Sequence, residues 1–218
     1  MSIERRRFAW VLVLLLAAFG CGEDPMSTDD STLPVLIDSP EKVVTALEKA
    51  YQSRDHKLLE GLLAHDVAQN AEYVFVLSEP TEKGDTEWGY DTEVRVHRRM
   101  FEPQNTPPGE LPVPNDLWLQ SVDVTLTQQA DFVERTDLYS GDGGADGLLD
   151  STKWRAMTAR YSTDVFFAMQ GDVDYQVTGQ ADFVIIEDLA KQGSESGRFL
   201  LLIWEDRGAP GKSSRLGV

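Results

Sequence analysis

His97 has the residue type and the setting that proton-transfer chemistry requires. It shares one predicted helix face with Val94 and Phe101, so its side chain is expected to point inwards. An imidazole in such a place can take up or donate a proton near neutral pH. The alternative is a histidine at the edge of the core whose ring is hydrogen-bonded to a carbonyl group. The sequence leaves both interpretations open.

Motifs for metal, phosphate and covalent chemistry are missing from the sequence. No two histidines have the spacing of zinc ligands, and there is no HExxH. Asp142, Asp146 and Asp150 surround a glycine-rich turn, but their spacing does not match a calcium-binding EF-hand loop, so an acidic hairpin tip is the simpler interpretation. GxSxG, a phosphate-binding glycine loop and a nucleophilic cysteine are also absent. We therefore expect neither a metal site nor a cofactor.

Cys21, the single cysteine, lies at the end of an export signal. A basic start at 5–7 precedes an apolar run over 8–18, which is too short to span a bilayer. The segment Ala18-Phe19-Gly20-Cys21 resembles the lipobox of bacterial lipoproteins, whose cysteine becomes the lipidated first residue of the mature protein. The resemblance implies that Cys21 carries an acyl anchor such as palmitate. A soluble secreted product with an ordinary cleaved signal is the alternative.

The residue after the cysteine bears on the destination of such a lipoprotein. An aspartate there often retains the protein at the inner membrane, whereas this chain has Gly22. The resemblance therefore implies an anchor in the outer membrane of a host that has one.

The net charge limits the classes of partner that the protein can bind, and the cysteine content limits what can stabilise its fold. The formal net charge of −17 opposes binding to nucleic-acid phosphates, so nucleic acid is excluded as a partner. Cationic ligands, metal ions and basic proteins are electrostatically allowed, and a protein of the cell envelope is a possible partner. Because the only cysteine is at the anchor, no internal disulfide can form, and the fold must depend on its hydrophobic core.

Four segments follow from the composition along the chain. Residues 1–20 are a signal peptide, and 21–38 are the lipidated cysteine with a flexible acidic tether rich in proline, serine and threonine. Residues 39–207 form one folded domain, and 208–218 are a C-terminal tail.

Helical patterns open the predicted domain. Ser39 and Pro40 are a typical helix start, and apolar residues at helical spacing follow to Tyr51. Asp55 can cap a second helix, and a short strand is expected over 73–77. A third helix is predicted from Asp91 to Phe101.

Strand patterns fill the second half of the domain. Apolar and polar residues alternate around 122–126 and over 173–185, and 154–169 is predicted as a long strand between them. The segment 199–204 is apolar at successive positions, which predicts a central strand covered on both faces. Helices followed by a four-stranded antiparallel meander indicate an α+β fold.

This layout resembles the nuclear transport factor 2-like superfamily, which includes ketosteroid isomerases, scytalone dehydratase and polyketide cyclases. The resemblance covers 39–207 and rests on SPEKVVTALEKAYQSRDHKLLEGLLAHD, the following short strand and the late strand RFLLLIWEDRG. It implies a cone in which a curved antiparallel sheet wraps around the N-terminal helices, often with a cavity at the open end. It also implies that dimers can form through the outer face of the sheet.

The isomerases suggest a role for Glu79, because they place a base carboxylate just before a proline at a similar point. Tyr51 lies one turn beyond the position of their helix tyrosine, where this chain has Leu47, and Thr178 replaces their second carboxylate. Since one of three roles is filled, steroid-isomerase chemistry is not supported. The dehydratases of this fold use histidines, which suggests His97 as a base or donor.

Aromatic side chains are the candidates for lining a ligand pocket. Trp88 stands out because it lies in a glycine-rich loop and not in a periodic element. The full candidate set is Tyr51, Tyr73, Trp88, Trp118 and Tyr161.

Three hypotheses follow. The first is a non-catalytic envelope domain that binds a small apolar or aromatic ligand or a protein partner. The second is a lyase or isomerase using Glu79 and His97 in the cone cavity. The third is an assembly module with a filled cone and an exposed apolar sheet face, able to form a homodimer.

Overall fold

A large open sheet with helices packed on one face forms the domain in the computed structural model, which describes residues 37–67, 71–81, 84–107, 109–139, 148–171, 174–191 and 199–208. Within these ranges the helices are α1 (Pro40–Ser53), α2 (His56–Leu62) and α3 (Tyr90–Phe101). The strands are β1 (Val74–Val76), β2 (Glu87–Gly89), β3 (Leu119–Gln128), β4 (Val133–Glu134), β5 (Trp154–Met169), β6 (Tyr175–Asp188) and β7 (Phe199–Gly208).

The N-terminal helices begin where the sequence predicts. The Ser39 hydroxyl accepts a hydrogen bond from the backbone N–H of Lys42, and Pro40 occupies the first helical turn. Helix α1 ends at Arg54, whose φ of 55° turns the chain sharply. Asp55 then caps α2 by accepting the backbone N–H of Leu58 at 2.9 Å. Two residues therefore join two helices that pack against each other.

The sheet has the order β2-β1-β7-β6-β5-β3, with β4 paired to the edge of β5. Strands β3, β5, β6 and β7 form the predicted antiparallel meander. Strand β7 lies between β6 and β1, so its prediction as a central strand is confirmed. Register shifts in the β6–β7 and β3–β5 pairs mark bulges, which bend and twist strands and so favour a curved sheet. The predicted α+β fold with helices in a curved sheet is confirmed.

Two features of the sheet differ from the sequence prediction. Strand β1 pairs with β7 in parallel, so the sheet is mixed and not wholly antiparallel. The segment around Trp88, predicted as a loop, forms β2 and pairs with β1. Strand β2 has three residues, which is too few for a recognisable alternation of polar and apolar side chains, and its pairing with β1 defines it as a strand.

Apolar side chains cover both faces of the sheet. On the helix side, the buried face of α1, including Val43, Leu47 and Ala50, packs in one core cluster with Phe183 and Ile185 of β6. On the outer side, Leu149 packs in a second cluster with Val184 and Leu202. Part of the outer face is thus covered by the chain itself.

The uncovered middle of the outer face is charged. Arg160 holds Asp182 with two hydrogen bonds of 2.7 and 2.9 Å, and Arg207 reaches the same carboxylate at 2.9 Å. Among the described residues of this face of β5, Phe166 is the large apolar side chain that is exposed, at 40%. The apolar sheet face that an assembly module would require is therefore not formed by these central residues.

Asp182→Asn is expected to lower stability at pH 7 by about 1 kcal/mol, because both arginines are nearly half exposed and solvent screens them. The hydrogen bonds from Arg160, followed by its charge and by Arg207, lower the pKa of Asp182 against the opposing effect of burial. A lowered folded-state pKa stabilises the protein above the unfolded value of about 3.9, and this contribution disappears as pH falls through the folded pKa. Urea unfolding at pH 7 and pH 3 should show the gap between wild type and variant closing in acid. A gap of equal size at both values would contradict this assignment.

Candidate functional site

Aromatic rings from several elements enclose the first turns of α3. Trp88 of β2 stacks on Phe75 of β1, with ring centroids 4.7 Å apart and planes at 8°. Trp204 of β7 contacts Phe75 at 5.4 Å and Phe183 at 5.1 Å. These contacts build an apolar wall between the sheet and the helix, and polar groups behind it are removed from water.

A carboxylate lies inside this wall. Glu93 is in the first turn of α3 but is only 2% exposed. The indole N–H of Trp88 donates a hydrogen bond to its Oε2 atom. Burial of a carboxylate costs free energy unless hydrogen bonds compensate, so this donor is important to the stability of the site.

His97 follows Glu93 by one helical turn and is 5% exposed. Its Nδ1 atom lies 2.9 Å from the backbone oxygen of Glu93 and 3.5 Å from Oε1 of the same residue. Its Nε2 atom lies 2.5 Å from the hydroxyl oxygen of Tyr51. Because a carbonyl oxygen can only accept a hydrogen bond, we assign the ring proton to Nδ1. The Nε2 atom of this neutral ring then accepts a hydrogen bond from the Tyr51 hydroxyl.

The environment keeps both neighbouring tyrosines protonated. Burial, followed by the nearby Glu93 carboxylate, raises the pKa of Tyr51. Burial is also the main cause that raises the pKa of Tyr73, with Glu93 adding to it through charge and hydrogen bonding. Among the described residues, however, no group lies in normal hydrogen-bond geometry to the fully buried Tyr73 hydroxyl.

We call Tyr51, Tyr73, Trp88, Glu93 and His97 the Glu93 cluster. The Trp88 indole donates a hydrogen bond to the Glu93 carboxylate, and the Tyr51 hydroxyl donates one to His97. The His97 ring donates in turn to the backbone oxygen of Glu93. Such a chain can hold protons at defined atoms and can orient the imidazole. Tyr51, Trp88, Glu93 and His97 each take part in a hydrogen bond with another member of the cluster.

Four sequence-predicted candidates, Tyr51, Tyr73, Trp88 and His97, thus meet at one place. The residue at their centre, Glu93, was missed because an acid in the first turn of a helix usually faces solvent. A signal was present, since Glu93 and His97 are four residues apart and therefore share a helix face.

The other sequence candidates lie elsewhere. Glu79 is exposed in the turn after β1 and is not among the groups that contact His97. Tyr161 of β5 is buried beside Phe183, with ring centroids 5.3 Å apart. Burial, followed by Glu41 and Glu48, raises the pKa of Tyr161 to about 12.

Trp118 lines a pocket of about 310 Å³, which we call the Trp118 pocket. Its buried floor consists of Phe101, Pro103 and Leu119. The indole N–H of Trp118 donates to the backbone oxygen of Val113 at 2.9 Å, which fixes the ring at the wall. The exposed rim is polar and contains Ser53, Arg54, Gln104 and Gln170.

Phe101 connects the pocket with the Glu93 cluster. Its ring lines the pocket and also contacts Tyr51 at 5.6 Å and His97 at 5.5 Å, in both cases edge to face. The members of the Glu93 cluster do not line the pocket themselves. The thickness of one aromatic ring therefore lies between the pocket and the imidazole.

Several sequence predictions lie outside the described residues. Cys21 and the tether up to residue 36 are among them, as are Asp142 and Asp146 of the acidic turn. Among the residues that the structure describes, no helix combines the length and apolarity needed to cross a bilayer.

Solved structures similar to this chain include proteins of the family named by the sequence resemblance. A nuclear transport factor 2-like superfamily protein from Salmonella enterica serovar Typhimurium is 11% identical, with a TM-score of 0.42, and 81% of this chain and 93% of that chain are covered. An NTF2-like family protein from Streptomyces avermitilis is 12% identical, with a TM-score of 0.40 and coverage of 76% and 90%. The beta subunit of benzoate 1,2-dioxygenase from Burkholderia mallei is 10% identical, with a TM-score of 0.40 and coverage of 83% and 91%. No family model and no curated protein matches the chain. These similarities transfer no activity or binding residue to it.

Proposed function

We propose that this chain is an envelope lipoprotein, anchored through Cys21, whose domain binds a small ring compound with an anionic group and does not transform it. The observation that supports binding is the Trp118 pocket, which combines a buried apolar floor with a polar rim. Its volume of about 310 Å³ is at the lower end of the range of small-molecule sites, roughly 300–1,000 Å³.

The chemistry of the lining selects the ligand class. A flat ring can pack against Trp118 and the small exposed parts of Phe101 and Leu119, while most of the accessible lining is polar, which favours a compact aromatic or alicyclic compound with polar substituents. Arg54 places a guanidinium at the rim of a chain whose net charge is −17, so an anionic substituent has a local partner there. One N–H of Arg54 already donates to the backbone oxygen of Leu119 at 2.7 Å, which positions the guanidinium.

The distribution of acid and base groups supports binding over catalysis. A catalytic pair must reach the reacting atoms, by hydrogen bonds of roughly 2.6–3.2 Å or through one water. Glu93, His97 and Tyr51 instead interact with one another behind Phe101. A ligand in the Trp118 pocket then meets hydrogen-bonding groups of the rim but no acid–base pair.

The alternative is a lyase or isomerase, favoured by the position of Phe101. If a substrate displaced this ring, it would reach the Tyr51 hydroxyl and the His97 imidazole from the pocket. In that case His97 would act as base or Tyr51 as donor, and Glu93 would position His97 in place of the sequence candidate Glu79.

Trp118→Ala is expected to abolish co-purification of a ligand, because it removes one wall of the pocket. Native mass spectrometry of the gently purified protein should show a reproducible extra mass in wild type and a bare mass in the variant. Phe166→Ala is the matched control, since it removes an aromatic ring from the outer face of the sheet. Equal ligand content in wild type and Trp118→Ala would contradict the proposed site. A bare wild-type protein that is not stabilised by a panel of small aromatic carboxylates would contradict the proposed function.

The same preparations separate the alternatives. Under the binding proposal, His97→Asn carries the same ligand as wild type, whereas an enzyme would carry unconverted substrate in this variant and product in wild type. A lyase changes the ligand mass, and an isomerase, whose substrate and product have equal mass, is detected by chromatography of the released ligand against standards. The native mass also reports whether the chain forms a homodimer or retains an envelope protein as partner.

A further inference from the structure

We propose that His65, Asp66 and Glu72 form a surface site for a divalent transition-metal ion such as Zn²⁺. Each residue offers one ligand atom, and these atoms lie within 4.8 Å of one another. The proposal is independent of the Trp118 pocket and of the Glu93 cluster. Sequence patterns do not indicate this site, because metal motifs are recognised by histidine spacing and this set contains a single histidine.

The backbone brings the ligands together from both ends of the loop that connects α2 to β1. The N–H of Tyr73 donates to the carbonyl of Ala64 at 2.8 Å, and the N–H of Ala64 donates to Leu201 of β7 at 2.8 Å. Ala64 and Tyr73 are both completely buried. The neighbouring residues His65 and Glu72 are therefore held side by side at the surface by an anchored backbone.

The His65 ring is oriented by a contact outside the ligand set. It stacks face to face on Tyr90, with centroids 4.0 Å apart and planes at 8°. The Tyr90 hydroxyl in turn donates to Glu60 at 3.3 Å. Such partners behind a ligand commonly fix the orientation of a metal-binding imidazole.

The separations between the side chains suit a shared ion better than direct hydrogen bonds. Nε2 of His65 lies 3.4 Å from Oδ2 of Asp66, and Nδ1 lies 3.8 Å from Oε1 of Glu72. N–H···O hydrogen bonds are shorter, at about 2.7–3.2 Å. Two ligands of a tetrahedral Zn²⁺, each about 2.1 Å from the ion, are about 3.4 Å apart. Only one ring nitrogen can bind a given ion, and one atom from each of the three side chains lies within 4.8 Å of the others, so the side chains would have to draw closer around the ion.

The donor set selects the class of ion. Imidazole is a ligand for zinc, copper, iron and nickel, whereas calcium and magnesium prefer sites made only of oxygen. Two carboxylates neutralise a divalent charge, and the net charge of −17 attracts cations to the surface. Three protein ligands leave at least one position of the ion for water.

Titration of Zn²⁺ alone into the untagged, metal-free, full-length protein tests the site by calorimetry. We expect one ion per chain in wild type and at least a tenfold weaker affinity in His65→Ala. His56→Ala is the matched control, because among the described residues His56 pairs with one carboxylate, that of Glu102, with Nδ1 and Oε1 3.0 Å apart. Wild-type affinity in His65→Ala, or loss of affinity in His56→Ala alone, overturns the proposal.

Two further readouts keep the test independent of the folding of one variant. Glu72→Gln should weaken Zn²⁺ binding in the same direction, and Tyr90→Leu, which removes the stacked ring, should do so by about tenfold. In NMR spectra, Zn²⁺ should shift the imidazole signals of His65 and leave those of His56 and His97 in place. Unchanged His65 signals at saturating Zn²⁺ would show that the three residues form only an ordinary ion-pair group.

Discussion

Glu93→Ala is expected to lower the free energy of unfolding by about 2–4 kcal/mol. The substitution removes the acceptor of the Trp88 indole N–H and leaves this donor partly buried without a partner. It also leaves a cavity where the side chain was 2% exposed. Relief of the carboxylate's desolvation cost offsets part of this loss, which is why we expect less than the full sum of both effects.

Urea unfolding, followed by tryptophan fluorescence, measures this change. Asp91→Ala is the matched control, because Asp91 is an exposed acid in the same first turn of α3 and should change stability by no more than about 0.5–1 kcal/mol. Glu93→Gln keeps an oxygen that can accept the indole N–H, so most of the stability should remain. If Glu93→Ala costs no more than Asp91→Ala, the Glu93 cluster does not contribute to stability as described.

Cys21→Ser is expected to convert a membrane-bound protein into a soluble one. Lipidation requires the thiol, and two or more acyl chains hold a protein at a bilayer stably whereas one chain binds only marginally. Fractionation of a bacterial host that exports the full chain should show the variant outside the membrane fraction and without palmitate label. Ser31→Ala, a change within the predicted tether, should remain in the membrane fraction. A Cys21→Ser protein that still sediments with membranes would refute the anchor.

These two results bear on different parts of the proposed function. Release of the Cys21 variant concerns location only, because Cys21 lies in the segment that precedes the domain. Loss of stability in the Glu93 variant concerns the Glu93 cluster, whose members Tyr51 and His97 contact Phe101. A ligand retained by the soluble Cys21→Ser protein would show that binding in the Trp118 pocket does not depend on the membrane.

Local sequence patterns were sufficient to predict the helices and the long strands. Ser39 and Asp55 cap helices because a short polar side chain can satisfy backbone N–H groups that lie two or three residues away. The long strand Trp154–Met169 was predicted with its observed bounds, and the alternation over 173–185 predicted most of β6 because a period of two is characteristic of a strand. The inward position of His97 followed from the helix face it shares with Phe101.

The sequence by itself therefore determined the order of elements, the faces of α1 and α3, and the α+β class of the fold. Only the tertiary structure decided which groups meet, because contacts such as that between Tyr51 and His97 join residues 46 positions apart. It also decided that Glu93 is buried and that Glu79 is exposed, since burial depends on which strand packs over a helix end. The short strand β2 contributes to the burial of Glu93, because it places Trp88 over the carboxylate. The physical reason is that periodicity encodes the direction of a side chain within its own element, whereas its partners depend on how the elements pack.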